Sequence, residues 1–329
     1  MTGRAQPDEF ELIERLFAPL SAGAPLAFGL TDDAALIRPR AGTDLVATTD
    51  SLVAGVHFLA ADPPDLVARK LLRVNLSDLA AMGATPLGHL VNLALPRGAE
   101  TAWVEEFAAG LAVDQERFGT ALIGGDTVAT EGPLVLGLTA LGEVARGRAL
   151  RRNGARPGDL VMVSGTLGDA ALGLRVLRGD RGSLDEGAAA YLVGRYRLPE
   201  PRVALGRRLV GLATAAIDVS DGLVADVGHV CAASGVGATL EAAKLPLSAA
   251  ATARLGESAT LVEAVLAGGD DYELALTVSP ERAGEAMAAA RDLDLPLTIV
   301  GRVREGEGVA VIGADGERMH LDTGGYRHF

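Results

Sequence analysis

The sequence has a single cysteine, Cys231, and aromatic residues make up only 4% of its 329 residues. One cysteine allows neither an intrachain disulfide nor a cysteine metal cluster, which fits a reducing compartment. Because 49% of the residues are hydrophobic, we expect a core of alanine, valine and leucine. No apolar run approaches the roughly 18 residues of a membrane span, and the first residues lack a signal-peptide pattern. We therefore expect a cytoplasmic protein without membrane contact.

Positive charge is also scarce, since the net charge is −13 and the only lysines are Lys70 and Lys244. Nucleic-acid binding requires a basic face, so no nucleic-acid partner is expected. Phosphate ligands remain compatible with an acidic chain because bound metal ions reverse the local charge. The Walker lysine motif, the protein-kinase motifs, the serine-nucleophile elbow and the zinc motif His-Glu-x-x-His are all absent. Phosphate charge would then be met by metal ions, arginine and backbone groups.

Six short acidic motifs, each set among small residues, are present instead. They occupy residues 29–35, 48–51, 75–78, 124–127, 218–222 and 268–271. Small neighbours let a ligand approach a carboxylate, and Mg2+ prefers carboxylate oxygens combined with substrate phosphates. A single motif of this kind is typical of a turn or a helix cap. The six together indicate a site for several metal ions and a phosphate ligand.

The length and the apolar spacing predict two domains of α+β class. In the first half, helices are predicted over 9–20, 63–82 and 101–118, and strands over 34–37, 45–49, 87–95, 121–123 and 134–141. In the second half, strands are predicted over 160–164, 215–219, 272–278, 297–303 and 309–312. Helices there are predicted over 169–178, 188–196, 221–233 and 280–292, with another after Pro201. An arginine-rich segment separates the halves, so we place the boundary between residues 1–147, a mixed α+β domain, and residues 148–329, an α/β domain.

Several acidic residues fall where this prediction places ligands. Asp50 and Asp126 are predicted at strand ends, and open α/β sheets bind ligands beyond their strand ends. Asp78 lies one helical turn from Asn75, so both side chains are expected on one face. The motif 218–222 forms a turn from strand to helix, where free N–H groups favour anions. These placements predict a phosphate site with oxygen ligands for metal ions.

The order of the motifs resembles that of the thiamine-monophosphate kinase family, within the superfamily of aminoimidazole ribonucleotide synthetase. The resemblance is carried by TDSLVAGVHF at 49–58, NLSDLAAMGA at 75–84, GGDT at 124–127, DVSDGL at 218–223, GGDDYEL at 268–274 and GYRHF at 325–329. These segments span nearly the whole chain. The pieces GVHF and DYEL are more specific to this family than the glycine–aspartate motifs, which the superfamily shares.

The resemblance implies a two-domain fold like that of aminoimidazole ribonucleotide synthetase, with a ferredoxin-like N-terminal domain. That domain would bind ATP and Mg2+ and form a homodimer through its N-terminal strands, while the C-terminal domain would complete the substrate site. The implied reaction is the phosphorylation of thiamine monophosphate by ATP to thiamine diphosphate, with both ligands bound between the domains.

Site residues follow from the same resemblance, motif by motif. Several Mg2+ ions would be held by Asp33, Thr48, Thr49, Asp50, Asp78, Asp126, Asp218 and Asp221. ATP would contact Gly125, Asp126, Arg152 and Ser220. Thiamine phosphate would contact His57, Asp270 and Thr323, the last at a position where the family often has an aromatic residue. Thr31 also departs from the family, which usually has glycine before the aspartate pair.

The implied chemistry needs no catalytic side chain. The acceptor is a phosphate monoester whose second pKa is about 6, so it is largely dianionic at neutral pH and needs no general base. Repulsion between this dianion and ATP is the obstacle, and Mg2+ ions held by aspartates offset it and align a direct in-line transfer. Two alternatives remain open: a related ATP-dependent synthetase and a nucleotide-binding maturation factor of the same superfamily.

Overall fold

The computed structural model describes residues 9–256, 261–321 and 325–326. The chain divides into two compact units. The first unit contains the residues up to Leu79 together with residues 85–146, and the second contains residues 80–84 and the chain from Gly147 onward. Each unit combines helices with one mixed sheet, which confirms the predicted α+β class. None of the helices in the described residues is long and apolar enough to cross a membrane.

The first unit is a four-stranded sheet with two long helices. Its elements are α1 (Glu9–Leu12), β1 (Thr43–Val53), α2 (Pro64–Ala81), β2 (Thr85–Pro96), α3 (Thr101–Phe118), β3 (Leu122–Thr130) and β4 (Val135–Ala145). The strand order is β1-β4-β2-β3, in which β4 is antiparallel to both neighbours and β2 is parallel to β3. A parallel pair requires a crossover connection, and α3 provides it.

The two long helices form where the sequence predicts them. Proline at the first position of α2 suits a helix start because its missing N–H has no partner there. Helix α3 ends at Gly119, whose φ of 65° is the left-handed conformation that glycine adopts easily. Leu71 and Leu111 of these helices and Leu138 of the sheet are fully buried. The core is therefore aliphatic, as the composition predicted.

A buried ion pair joins the two helices. Arg73 donates from Nε to Asp114 Oδ2 at 2.6 Å and from Nη2 to Oδ1 at 3.0 Å. Both side chains are almost entirely buried, and Arg69 adds a third contact at 3.2 Å. A buried carboxylate with this many charged donors is well compensated, and removal of one partner is costly. The pair therefore fixes the register of α2 against α3.

The second unit contains a six-stranded sheet covered on both faces. Its elements are β5 (Leu160–Ser164), α4 (Asp169–Leu177), α5 (Glu186–Arg197), α6 (Val203–Leu209), β6 (Ala215–Asp218), α7 (Leu223–Ser234), β7 (Gly237–Glu241), α8 (Ala249–Leu255), α9 (Leu261–Ala267), β8 (Leu274–Val278), α10 (Ala283–Arg291), β9 (Leu297–Arg304) and β10 (Gly308–Ile312). The strand order is β10-β7-β9-β5-β8-β6, and only the β10–β7 pair is parallel. All residues of β5 and β8 are buried, because helices pack on both sides of the sheet centre.

Some predicted elements of the first unit are wrong. The predicted strand 34–37 has no regular structure, and the predicted helix 9–20 is divided into α1, a π-helical turn and a 3-10 turn. Strands β1 and β3 continue well beyond their predicted ends. Asp50 and Asp126 consequently lie inside strands and not at strand ends. Small polar residues interrupt the apolar pattern there, but the backbone pairing with neighbouring strands continues.

His89 lies in β2 and is fully buried. Its Nδ1 is 3.4 Å from Thr120 Oγ1, close to Gln115 of α3. Burial lowers the pKa of His89 to about 4, although a hydrogen bond with Gln115 opposes this change. The imidazole is therefore neutral in the folded protein over most of the acidic range.

We predict that His89 makes the protein less stable between pH 6.5 and pH 4. In this range the unfolded chain protonates His89 and the folded chain does not, so the unfolded state binds more protons. The free energy of unfolding should fall by up to about 3 kcal/mol as the pH is lowered through this window. Urea unfolding of the wild type and of His89→Gln at several pH values tests this. An identical pH dependence in both proteins would contradict it.

Candidate functional site

A first acidic cluster combines β1 with α2. Thr48 and Asp50 are two positions apart in β1, so their side chains share one face of the sheet. The Thr48 hydroxyl hydrogen-bonds Asp78 Oδ2 of α2. Burial, together with repulsion from Asp78, raises the pKa of Asp50 to about 6. Two carboxylates held in this way repel each other, and a bound divalent cation would relieve the repulsion.

Two residues that were expected at this cluster face elsewhere. The hydroxyl of Thr49 lies on the opposite face of β1, where it donates to the Leu138 carbonyl at 3.1 Å and accepts from Thr139 at 3.1 Å. Adjacent strand residues point to opposite faces, so Thr49 cannot join Asp50 through its side chain. Asn75 lies one helical turn from Asp78, as predicted, but it is fully buried and its amide donates to the Leu71 carbonyl at 2.9 Å.

A cavity of about 310 Å³ lies in the first unit, beside β2 and β3. Apolar residues of the N-terminal segment, among them Phe17 and Leu30, form part of its wall. Asp33, Gly125 and Asp126 also line it, so the structure brings these three predicted site residues together. A side chain at Gly125 would place its Cβ 2.1 Å from the Val91 carbonyl, which is why glycine is required there.

The segment before Asp33 is strained. Phe28 and Leu30 have φ angles of 53° and 61°, which non-glycine residues rarely adopt. The hydroxyl of Thr31 donates to the Phe28 carbonyl at 2.7 Å, which closes this turn. Thr31 thus has a definite role in the turn in this chain. Backbone strain of this kind is concentrated at ligand-binding segments of proteins, which fits the position of the segment at the cavity wall.

In the second unit, two acidic motifs that are far apart in the sequence are joined through their backbones. The N–H of Asp270 donates to the Ser220 carbonyl at 2.9 Å, and that of Tyr272 donates to the Val219 carbonyl at 2.8 Å. A Cβ at Gly269 would lie 2.2 Å from the Ser220 oxygen, so only glycine permits this approach. The predicted site residues Ser220 and Asp270 therefore belong to one local structure.

The same structure includes the ends of β6 and α7. Asp218 is the last residue of β6, and Asp221 precedes α7, as predicted. The Asp221 carbonyl accepts from the N–H of Tyr326 at 3.0 Å, which brings Tyr326 to this turn. Thr323 lies outside the described residues.

The N–H groups of this turn are not free, contrary to the sequence prediction. Asp226 Oδ2 accepts from the backbone N–H groups of Ser220, Asp221 and Gly222 at 3.0, 3.1 and 3.1 Å. Burial and the nearby Asp221 carboxylate raise the pKa of Asp226 to about 7. Sequence reasoning missed Asp226, although an aspartate in the first turn of a helix signals such a cap.

One further set of possible metal ligands occurs at this turn. Among the described residues, Asp221, Asp226 and His229 offer ligand atoms that lie within 4.8 Å of one another. Carboxylate oxygens suit Mg2+, whereas an imidazole favours softer metals. Asp221 was predicted as a metal ligand from its motif, and the other two residues were not.

His57 and Arg152 occupy contrasting positions. His57 follows β1, and its Nδ1 accepts from the Val53 N–H at 3.0 Å, which orients the ring. The Arg152 carbonyl accepts from the hydroxyl of Ser234, the last residue of α7. Ser220 precedes the first turn of that twelve-residue helix, which is about 18 Å long. The backbone of Arg152 therefore lies at the opposite end of α7 from Ser220.

Comparisons with known proteins agree with this architecture. The N-terminal domain of AIR synthase related proteins matches residues 31–144, and the C-terminal domain of these proteins matches residues 156–314. Thiamine-monophosphate kinase of Caulobacter vibrioides is 47% identical over 93% of this chain and 87% of its own length.

Solved structures support the same relationship. The crystal structure of thiamine-monophosphate kinase from Stenotrophomonas maltophilia superimposes with a TM-score of 0.83 at 44% identity, covering 92% of this chain and 97% of that one. AaThiL complexed with AMPPCP and TMP gives a TM-score of 0.78 at 34% identity, covering 98% and 97%. The chain belongs to the AIR synthase related family and, within it, to the thiamine-monophosphate kinases. The resemblance drawn from the motifs is thereby confirmed.

We predict that the hydrogen-bond acceptor oxygen of Asp226 contributes more to the stability of the fold than its charge does. Asp226→Ala leaves three N–H groups without their acceptor and should lower the free energy of unfolding by about 2–4 kcal/mol, at a cost of about 1–3 kcal/mol for each buried group that water does not reach. Asp226→Asn keeps one carbonyl oxygen for the same N–H groups. Its free energy of unfolding should fall by less than half as much as that of Asp226→Ala. Urea unfolding of the three proteins measures the difference, and equal losses would contradict the prediction.

Proposed function

We propose that this protein transfers the γ-phosphoryl group of ATP to thiamine monophosphate, which yields thiamine diphosphate and ADP in the last step of thiamine diphosphate synthesis. The observation that carries the proposal is the match over nearly the full length to AaThiL, a structure that holds AMPPCP, an ATP analogue, together with TMP. The acidic motifs supply the residues that such a reaction needs.

Mg2+ is the metal that the first cluster fits. Thr48, Asp50 and Asp78 offer hydroxyl and carboxylate oxygens, which are the donors that Mg2+ prefers, and burial followed by repulsion from Asp78 raises the pKa of Asp50. When bound, Mg2+ supplies positive charge that offsets the repulsion between phosphate groups. We assign further metal-binding roles, by motif, to Asp33, Thr49, Asp126, Asp218 and Asp221. Thr49 would take part through its carbonyl, since its hydroxyl faces the other side of β1.

We place the nucleotide at the cavity of the first unit. Its apolar wall suits a purine base, and Gly125, which lets β3 lie close to β2, lines the cavity beside Asp126. By motif, we also assign ATP contacts to Arg152 and Ser220 of the second unit. This gives the N-terminal domain, residues 1–147, the nucleotide and metal role, and residues 148–329 complete the substrate site.

The acceptor phosphate would be oriented by His57 and Asp270, with Thr323 near the organic part of the substrate. Hydrogen bonding of His57 Nδ1 to the Val53 N–H fixes the ring in one orientation, and Asp270 is fixed through its backbone. The acceptor is a dianion at neutral pH and needs no proton abstraction, so these residues would orient it and the neutralising charge would come from Mg2+. This agrees with direct in-line transfer and no covalent enzyme intermediate.

The two alternatives are not favoured. A ring-forming or selenophosphate-forming synthetase would need other residues, and the reactive cysteine–lysine pair expected for selenophosphate synthesis is missing from the N-terminal part of the sequence. A maturation factor would act with a partner protein. The relatives that are 47% and 43% identical over 93% and 98% of this chain are thiamine-monophosphate kinases.

The first test is product analysis. The purified protein, ATP, Mg2+ and thiamine monophosphate should yield thiamine diphosphate and ADP, detected by mass spectrometry, and EDTA should abolish the reaction. A folded sample that forms no thiamine diphosphate under these conditions would refute the proposed function.

Asp78→Asn should lower turnover by about 100-fold or more at limiting Mg2+, since even outer partners of metal ligands contribute about 10–100-fold. The substitution removes charge with little change in volume, so the fold should persist. Asp44→Asn is the matched control, because Asp44 lies in β1 but pairs with Arg146 near the protein surface. Asp44→Asn should turn over at the wild-type rate. Near wild-type turnover of Asp78→Asn would remove Asp78 from the metal site.

We also propose that the protein is a homodimer joined through the open face of the first sheet. The face opposite the helices carries Leu45 of β1 and Val128 of β3, which are 45% and 49% exposed. Exposed apolar residues on a sheet face are typical of an interface. Sedimentation should give twice the 33.7 kDa of one chain, and Val128→Asp should shift the protein towards monomer. A fully active monomeric wild type would contradict the dimer.

A further inference from the structure

The loop that carries Asp270 has two buried carboxylates, Asp271 and Glu273, which the proposed reaction does not use. Their exposed fractions are 1% and 0%. Asp270 and Tyr272, which alternate with them, are only partly buried. Alternate residues of the loop are therefore buried in the protein and partly exposed at its surface. Buried carboxylates are costly unless donors or cations compensate them, so their contacts show what they do.

Glu273 is held by three side chains. Ser164 donates its hydroxyl to Oε2 at 2.6 Å, Arg195 donates Nη2 to Oε1 at 2.9 Å, and Arg202 donates Nε to Oε2 at 2.6 Å. Arg202 also donates Nη2 to Oε1, so its contact is bidentate. Both arginine side chains are less than one fifth exposed. Charge-assisted contacts of this geometry define position strongly.

Asp271 connects the same loop to α4. Its Oδ2 accepts from the Gly168 N–H at 2.6 Å and its Oδ1 accepts from the Ala170 N–H at 3.2 Å. These N–H groups lie at the start of α4, where a helix leaves its donors unsatisfied. Asp271 therefore ties the loop to the first turn of that helix.

The loop over residues 270–273 has an unfavourable backbone conformation. Asp270 and Tyr272 have φ angles of 70° and 51°. Left-handed conformations of non-glycine residues are unfavourable and persist only where the surrounding contacts hold them in place. The contacts of Glu273 and Asp271 hold the loop in this conformation, together with the hydrogen bonds from Asp270 and Tyr272 to residues 219–220.

We propose that Glu273, with Arg202 and Arg195, is a positioning residue that acts through Asp270. The buried carboxylate fixes the loop backbone in its left-handed conformation, and Asp270 is thereby presented to the phosphate acceptor. Asp271 has the same role from the α4 side. The inference rests on the proposed function, in which Asp270 contacts thiamine monophosphate.

The experiment measures the kinetics of Glu273→Gln with both substrates in the full-length protein. The amide keeps the size of the side chain but removes the charge and one acceptor, which leaves the two arginines undercompensated. The loop should shift, and displacement of a substrate-contacting group by about 1 Å can cost up to about 100-fold. We expect KM for thiamine monophosphate to rise by about 10-fold or more and KM for ATP to change by less than about 3-fold.

The matched control is Asp114→Asn, which removes the carboxylate of a buried carboxylate–arginine pair in the other unit. It should destabilise the protein to a similar extent, as the midpoint of urea unfolding measures, and should leave both KM values unchanged. If Asp114→Asn raised KM for thiamine monophosphate as much as Glu273→Gln does, general destabilisation would explain the effect and the proposal would be wrong.

A second variant covers the case in which Glu273→Gln does not fold. Arg202→Lys keeps the positive charge but loses the bidentate contact, so it should raise the same KM by a smaller factor. A folded Glu273→Gln, or failing that a folded Arg202→Lys, with KM for thiamine monophosphate within about 2-fold of the wild type would overturn the positioning role. An inactive wild type would instead refute the proposed function, so the two failures are distinguishable.

Discussion

A carboxylate removed from water must be met by hydrogen-bond donors or by positive charge, and this requirement organises both units of the protein. Asp114 is met by two arginines, Asp226 by three backbone N–H groups and Glu273 by two arginines and a serine. Asp50 is different, because its nearest charged influence is another carboxylate, Asp78. The compensated carboxylates stabilise the fold, whereas the repulsion between Asp50 and Asp78 is the kind that a bound cation would relieve.

Close approach of backbones is the second requirement, and it explains the abundance of glycine. At Gly125, strand β3 comes so near to β2 that a Cβ would collide with the Val91 carbonyl. At Gly269 the same holds for the Ser220 carbonyl. Each glycine stands beside an aspartate in its motif. The glycine–aspartate motifs thus combine a residue that lets two segments approach each other with a carboxylate beside the point of approach.

Most regular elements could be predicted from periodicity, and the exceptions have physical causes. Helices α2 and α3 and strands β5 and β8 follow from long apolar patterns. The segment 34–37 has an apolar run of strand length but makes no ladder pairing. Strand β7 and helices α8 and α9 were not predicted, because short elements depend mainly on tertiary packing. Asp50 lies within β1 because its backbone pairs with Leu138, which no local pattern reveals.

The sequence by itself determined the family, through the order of motifs that run from residues 49–58 to residues 325–329, and it determined an aliphatic core and the absence of a Walker lysine motif. Tertiary structure alone decided which face each residue occupies and which segments meet. It turned the Thr49 hydroxyl away from Asp50, filled the turn before α7 with the Asp226 carboxylate and joined Asp270 to Ser220. The reason is that side-chain direction and contacts between segments some 50 residues apart arise from packing, and a one-dimensional motif does not encode them.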